Sequence, residues 1–160
     1  MLPAGKTLRI AFLLACAAWQ SASAEDAYRP IGFDELASYV FTPPQYDPVA
    51  ADQGKVATGE EQIPAKIKAL DGQTAAITGY MVPVKMDKGK VSEFLLMRNT
   101  LACCFGGVPN MNEWVVVKLQ TPVPATMDTP VTFLGRLKVG AIVENGYVTG
   151  LYQLESAQPK

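Results

Sequence analysis

The sequence predicts a mainly β protein: a small five-stranded antiparallel barrel of the OB type, preceded by a short N-terminal helix and extension. Three observations lead there. Strand-like runs with alternating apolar and polar residues recur between residues 74 and 154. Turn-forming stretches, "DKGK" at 87–90 and "ENGY" at 144–147, join neighbouring runs. A proline-broken connection, "TPVPATMDTP" at 121–130, separates the third run from the fourth. A small β-sandwich is the alternative architecture.

The chain begins with an export pattern. Lys6 and Arg9 form a basic segment, Ile10 to Trp19 an apolar one, and "SASAED" follows. Small residues at Ala22 and Ala24 suit a signal peptide over 1–24, cleaved after Ala24. The apolar run is far shorter than the ~20 residues a spanning helix needs. The expected product is periplasmic. "LLAC" at 13–16 offers the alternative of a lipoprotein anchored at Cys16, and only that route would tie the protein to a membrane.

Residues 25–62 read as an N-terminal extension. Phe33, Leu36, Ala37 and Val40 recur at helical spacing, and "TPPQYDP" at 42–48 stops the helix. Residues 49–61 read as a loop. The barrel domain spans 63–157. In "IPAKIKALDG", Pro64 takes the first helical position, Ile63, Ile67 and Leu70 share a face, and Gly72 ends the turn. Strands follow at Thr74–Met86, bent near Gly79 or Pro83, and at Val91–Met97. Glu113–Leu119 comes next, with Val115, Val117 and Leu119 on one face. Val131–Val139 points Val131, Phe133, Leu137 and Val139 inward and Thr132, Arg136 and Lys138 outward. After the Asn-Gly turn, Val148–Leu154 returns.

Charge narrows the partners. The leader's two basic residues leave twelve in the remainder against all fifteen acidic ones. A mildly acidic chain has no electrostatic attraction for nucleic acid.

Candidate chemistry gathers in "LACCFGGVPNMNEW", 101–114. Cys103 and Cys104 are adjacent, and the protein has no histidine. On a regular strand they would face opposite sides. Gly106, Gly107 and Pro109 argue instead for a loop at the strand's exit. Adjacent Cα atoms lie about 3.8 Å apart, whereas disulfides want roughly 4.4 to 6.8 Å. A Cys103–Cys104 bond is therefore strained, a poor staple but a workable redox switch.

Reduced, the pair is a soft donor set. With Met111 it suits Cu(I) ahead of Zn(II), which wants four ligands from Cys, His and carboxylate. Asn112 and Glu113 are candidate pocket residues beside the sulfurs. The plainer alternatives are buried cysteines acting as small hydrophobes, Met111 as core filler and Glu113 as a solvated strand residue. Enzymatic readings lack parts. There is no His base, no Cys-x-x-Cys and no phosphate-binding loop, so a non-enzymatic role is favoured.

From about Ile31 to Leu154 the chain resembles the bacterial exported proteins of domain-of-unknown-function family 3299. The resemblance rests on "IPAKIKALDGQTAAITGYMVPVK", "VSEFLLMRN", "CCFGGVPNMNEWV" and "PVTFLGRLKVGAIVENGYVTGLY". It implies an OB-like barrel and an accessory role beside envelope transporters or other periplasmic proteins. Many relatives carry Cys followed by His and prolines in the corresponding loop; this chain has "CCFGG" and departs from that zinc-like pattern. Three roles are thus expected: a soft-metal or transport-accessory binding module, a thiol-disulfide redox-responsive protein, or a structural partner-binding barrel.

Overall fold

A computed structural model of the chain describes residues 27–100 and 108–160. The strands are β1 (Arg29–Pro30), β2 (Thr74–Asp87), β3 (Lys90–Met97), β4 (Trp114–Pro124), β5 (Val131–Glu144) and β6 (Tyr147–Pro159). Helices α1 (Phe33–Leu36), α2 (Pro48–Asp52) and α3 (Ala65–Lys68) are short, and single 3-10 turns form at Glu60–Gln62 and Met111–Glu113.

The strand order is β1-β2-β3-β4-β6-β5, and β5 pairs back onto β2. Five strands therefore close into the expected OB-like barrel, with β1 an extra strand running parallel to β2. β4 and β6 are parallel neighbours, while the other barrel pairs are antiparallel.

Closure depends on β2 serving two partners. Thr74 to Gly79 pair with β5, and Tyr80 to Asp87 pair with β3. Gly79 sits at the changeover. A Cβ there would come within 2.6 Å of the Met97 carbonyl oxygen and 3.0 Å of Leu96 and Phe33. Gly79 thus allows the close backbone approach at the changeover, and bulges around Pro83–Met86 distort the strand further.

Both predicted hairpin turns form with left-handed central pairs, Lys88–Gly89 and Asn145–Gly146. Left-handed backbone at both central residues matches the twist of the flanking strands.

The core combines barrel and N-terminal residues. Phe94 and Phe133 meet with ring centroids 4.8 Å apart, tilted by 53°. Ile77, Leu96, Val115, Val117, Leu137 and Leu154 are fully buried around them. Ile31, Phe33, Leu36 and Phe41 join the same cluster, as do Ile63, Ile67 and Leu70 beside α3. Phe133 and Leu137 point inward as predicted, whereas a bulge at Gly135 also buries Leu134.

Several boundaries differ from expectation. α1 ends at Leu36, and Val40 is 87 % exposed instead of facing the core. α2 forms over Pro48–Asp52, from the helix-stopping Pro48 into the stretch 49–61 read as loop, and Asp47 caps its start by accepting from Val49 and Ala50 N–H. β4 continues to Pro124 through a bulge, which lets prolines 122 and 124 enter a strand without breaking a regular ladder. β5 and β6 extend past Val139 and Leu154, across register shifts that the alternation does not reveal.

Candidate functional site

The thiol pair belongs to the connection from β3, which ends at Met97, to β4, which starts at Trp114. Cys103, Cys104 and Cys16 lie outside the described residues, and so does the leader. The base of the connection is well defined. Met97 and Trp114 form the last rung, and Arg98 N–H donates to the Glu113 carbonyl at 3.0 Å. The Arg98 guanidinium reaches Glu113 at 3.4 Å and Asp34 in α1 at 2.9 Å, binding both ends of the connection to the N-terminal segment.

Local sequence explains this turn. Asn110 and Glu113 form a reciprocal capping box, in which Glu113 Oε2 accepts from the Asn110 backbone N–H at 2.9 Å. Asn112 is buried, and its Nδ2 donates to the Tyr39 carbonyl at 2.7 Å. Met111 packs, partly buried, against the core. The structure therefore brings Asn112 and Glu113 to one cleft of about 320 Å³, with Tyr39, Val40, Arg98 and Asn110. Their polar atoms already have protein partners there. Among the described residues no three His, Cys, Asp or Glu side chains group as a metal site, and no helix is long and apolar enough to cross a membrane.

A tyrosine relay lies beneath the cleft. Tyr152, fully buried, donates from its hydroxyl to the Leu36 carbonyl at 2.8 Å. Its oxygen then accepts from the Tyr39 hydroxyl at 3.0 Å. Burial holds the Tyr152 phenol far above its ordinary range. Burial also raises Tyr39. Tyr152 shares strand parity with Leu154, the one hint that it faces inward.

On the outer face, Glu93 is nearly buried between Lys85 at 2.6 Å and Lys118 at 3.8 Å. The Glu93 hydrogen bond raises the Lys85 ammonium pKa. Lys85 is thereby part of an ion-pair ladder that continues through Lys118 to Glu144.

A model for the family described as "Protein of unknown function (DUF3299)" matches residues 19–159. The chain belongs to the DUF3299 family. A crystal structure of a DUF3299 family protein from Pseudomonas aeruginosa PAO1 is similar to this DUF3299 chain at 25 % identity. The match covers 84 % of this chain and 97 % of the other, with a TM-score of 0.54. No curated protein matches.

Proposed function

We propose that this DUF3299 protein is an exported, non-enzymatic binding module whose β3–β4 connection carries its ligand-responsive group, the Cys103–Cys104 pair. Soft metal ions are the expected ligands, Cu(I) ahead of Zn(II), and an envelope transporter or other periplasmic protein is the expected partner. One observation supports the reading above others. β3 ends six residues before Cys103, and the Arg98–Glu113 contacts clamp the base of the connection. The described residues that flank the pair in sequence are thus held to one another, which supports a reading in which the connection carries the group.

The test is a titration of the purified mature protein with Cu(I) and with Zn(II). Saturable Cu(I) binding that disappears in Cys103→Ser/Cys104→Ser is expected. A double variant that binds as well as wild type ends the metal reading. Mass spectrometry of protein taken from the periplasm reads the N-terminus, any lipid on Cys16 and the oxidation state of the pair together.

A further inference from the structure

A second cleft, of about 430 Å³, lies between residues 43–57 and the β5–β6 turn. It shares no lining residue with the cleft at the thiol connection. Tyr46 and Tyr147 stack at its edge, with ring centroids 4.0 Å apart and planes within 12°. Both rings stay exposed, by 41 % and 51 %. Stacked face to face, these two large side chains, far apart in sequence, offer an outer ring face as a platform that folding alone does not require.

The walls are fixed by specific bonds. The Gln62 side chain pairs with both backbone groups of Thr42, at 3.0 and 2.9 Å, closing the segment on itself. Glu60 ties its end to β5 through the Ala141 N–H at 2.6 Å. Asp47 caps α2. At the hairpin tip, Gly146 has φ +81°, and a Cβ there would stand 3.0 Å from the Ala51 Cβ. Only glycine lets the turn approach α2 so closely. The cleft is therefore largely pre-formed, and its volume lies in the range of small-molecule sites.

Its chemistry selects a ligand class. The floor is apolar, from Pro43, Pro44 and Ala50. The rim adds Gln45, Asp47, Lys55 and the two phenols. The side chains of Gln45 and Lys55 have no hydrogen-bond or ion-pair partner among the described residues. An aromatic face beside donors and acceptors, with one positive and one negative charge, suits a ring carrying an apolar C–H face and many hydroxyls. A polyphosphate or nucleic acid would want clustered cations, which this rim lacks. We infer that the cleft binds an uncharged saccharide, one ring lying on the Tyr46–Tyr147 platform and its hydroxyls bonding to Gln45, Asp47 and Lys55.

The test is two-dimensional amide NMR of the full chain, titrated separately with cellopentaose, chitotetraose, maltopentaose, a polyproline peptide and oligo-dT. Saturable shifts at Gly146 and Tyr147 with at least one saccharide are expected. Tyr147→Ala should weaken that binding about tenfold, the loss of one good stacking contact. Gln45→Ala, which leaves the platform intact, should also weaken it, whereas Cys103→Ser/Cys104→Ser should not change it. The inference is overturned if no saccharide shifts these amides, if Tyr147→Ala and Gln45→Ala bind like wild type, or if only the peptide or oligo-dT occupies the cleft.

Discussion

The Glu60 carboxylate accepts a 2.6 Å hydrogen bond from the backbone N–H of Ala141, 81 residues further along the chain. It is one of a series. On the same edge of β5, Leu137 N–H donates to the Gln73 carbonyl at 2.9 Å and Val139 N–H to Asp71 Oδ1 at 2.9 Å. β2 pairs with β5 only as far as Thr74↔Arg136. Beyond that rung, side-chain carboxylates continue the ladder that a strand would otherwise supply. They also place negative charge along the edge, which discourages pairing with another chain.

Glu60→Ala should cost about 1 kcal/mol, the ordinary net value of one hydrogen bond. Glu60→Gln retains the Oε1 acceptor and should stay near wild type. Urea unfolding reads the stability, and amide exchange at Ala141 reads the local opening. In Glu60→Ala/Asp71→Ala the edge is bare, and sedimentation should show concentration-dependent association absent from wild type.

The Tyr152 hydroxyl predicts an alkaline limit to stability. Its unfolded phenol titrates near the ordinary value of 10.0, whereas the folded one is held far above it. Above pH 10 the unfolded state releases this proton while the folded state keeps it, so stability falls as pH rises. It is fully present below that pH. The slope approaches about 1.4 kcal/mol per pH unit for this one group. Tyr152→Phe should flatten the slope but lose stability at neutral pH by about 1–3 kcal/mol, since the Leu36 carbonyl and Tyr39 hydroxyl lose their partner. Chemical denaturation between pH 7 and 11 measures both effects.

The barrel was legible because its signals are local. Alternation about Phe133 and Leu137, and Asn145–Gly146 between two such runs, need only neighbouring residues to be read. What was missed depends on distant partners or on irregular pairing. β4 reaches Pro124 only because a bulge opposite Val91–Glu93 accommodates it. The Tyr39–Tyr152 hydrogen bond spans 113 residues and follows no periodicity. α2 did carry a local signal, an Asp cap before Pro48, outweighed by the glycines and polar residues that follow it. At the candidate site, Asn112 and Glu113 do come together, but spacing alone did not show that the protein's own backbone already engages them.

Gly79→Ala tests whether the changeover in β2 tolerates a side chain. Its Cβ would meet backbone, the Met97 carbonyl at 2.6 Å, and so cannot be relieved by a rotamer change. A loss of about 1–3 kcal/mol is expected, as for an overpacked core. Gly72→Ala is a useful contrast. Its φ of +77° strains alanine, but nothing lies within 4 Å of the added Cβ. It should lose about 1 kcal/mol through backbone conformation alone. Thermal unfolding of the two variants orders them.

Asn112 and Glu113 share a cleft but should respond differently to substitution. The Asn112 amide is buried and donates to the Tyr39 carbonyl at 2.7 Å, joining the 3-10 turn to the N-terminal segment. Asn112→Ala leaves that carbonyl without its partner and should cost about 1–3 kcal/mol. Asn112→Asp is worse, because it buries a carboxylate against a carbonyl oxygen where a donor had been. Glu113→Ala removes a half-exposed ion pair with Arg98, worth under about 1 kcal/mol, together with half of the Asn110 capping box, worth a similar amount. If the thiol connection acts as a metal-binding segment, Glu113→Ala should weaken Cu(I) binding by loosening the clamp at its base while Tm falls by only a few degrees. A Cu(I) titration and a melt on the same sample separate the two effects. An unchanged affinity would show that the clamp serves the fold and not the ligand.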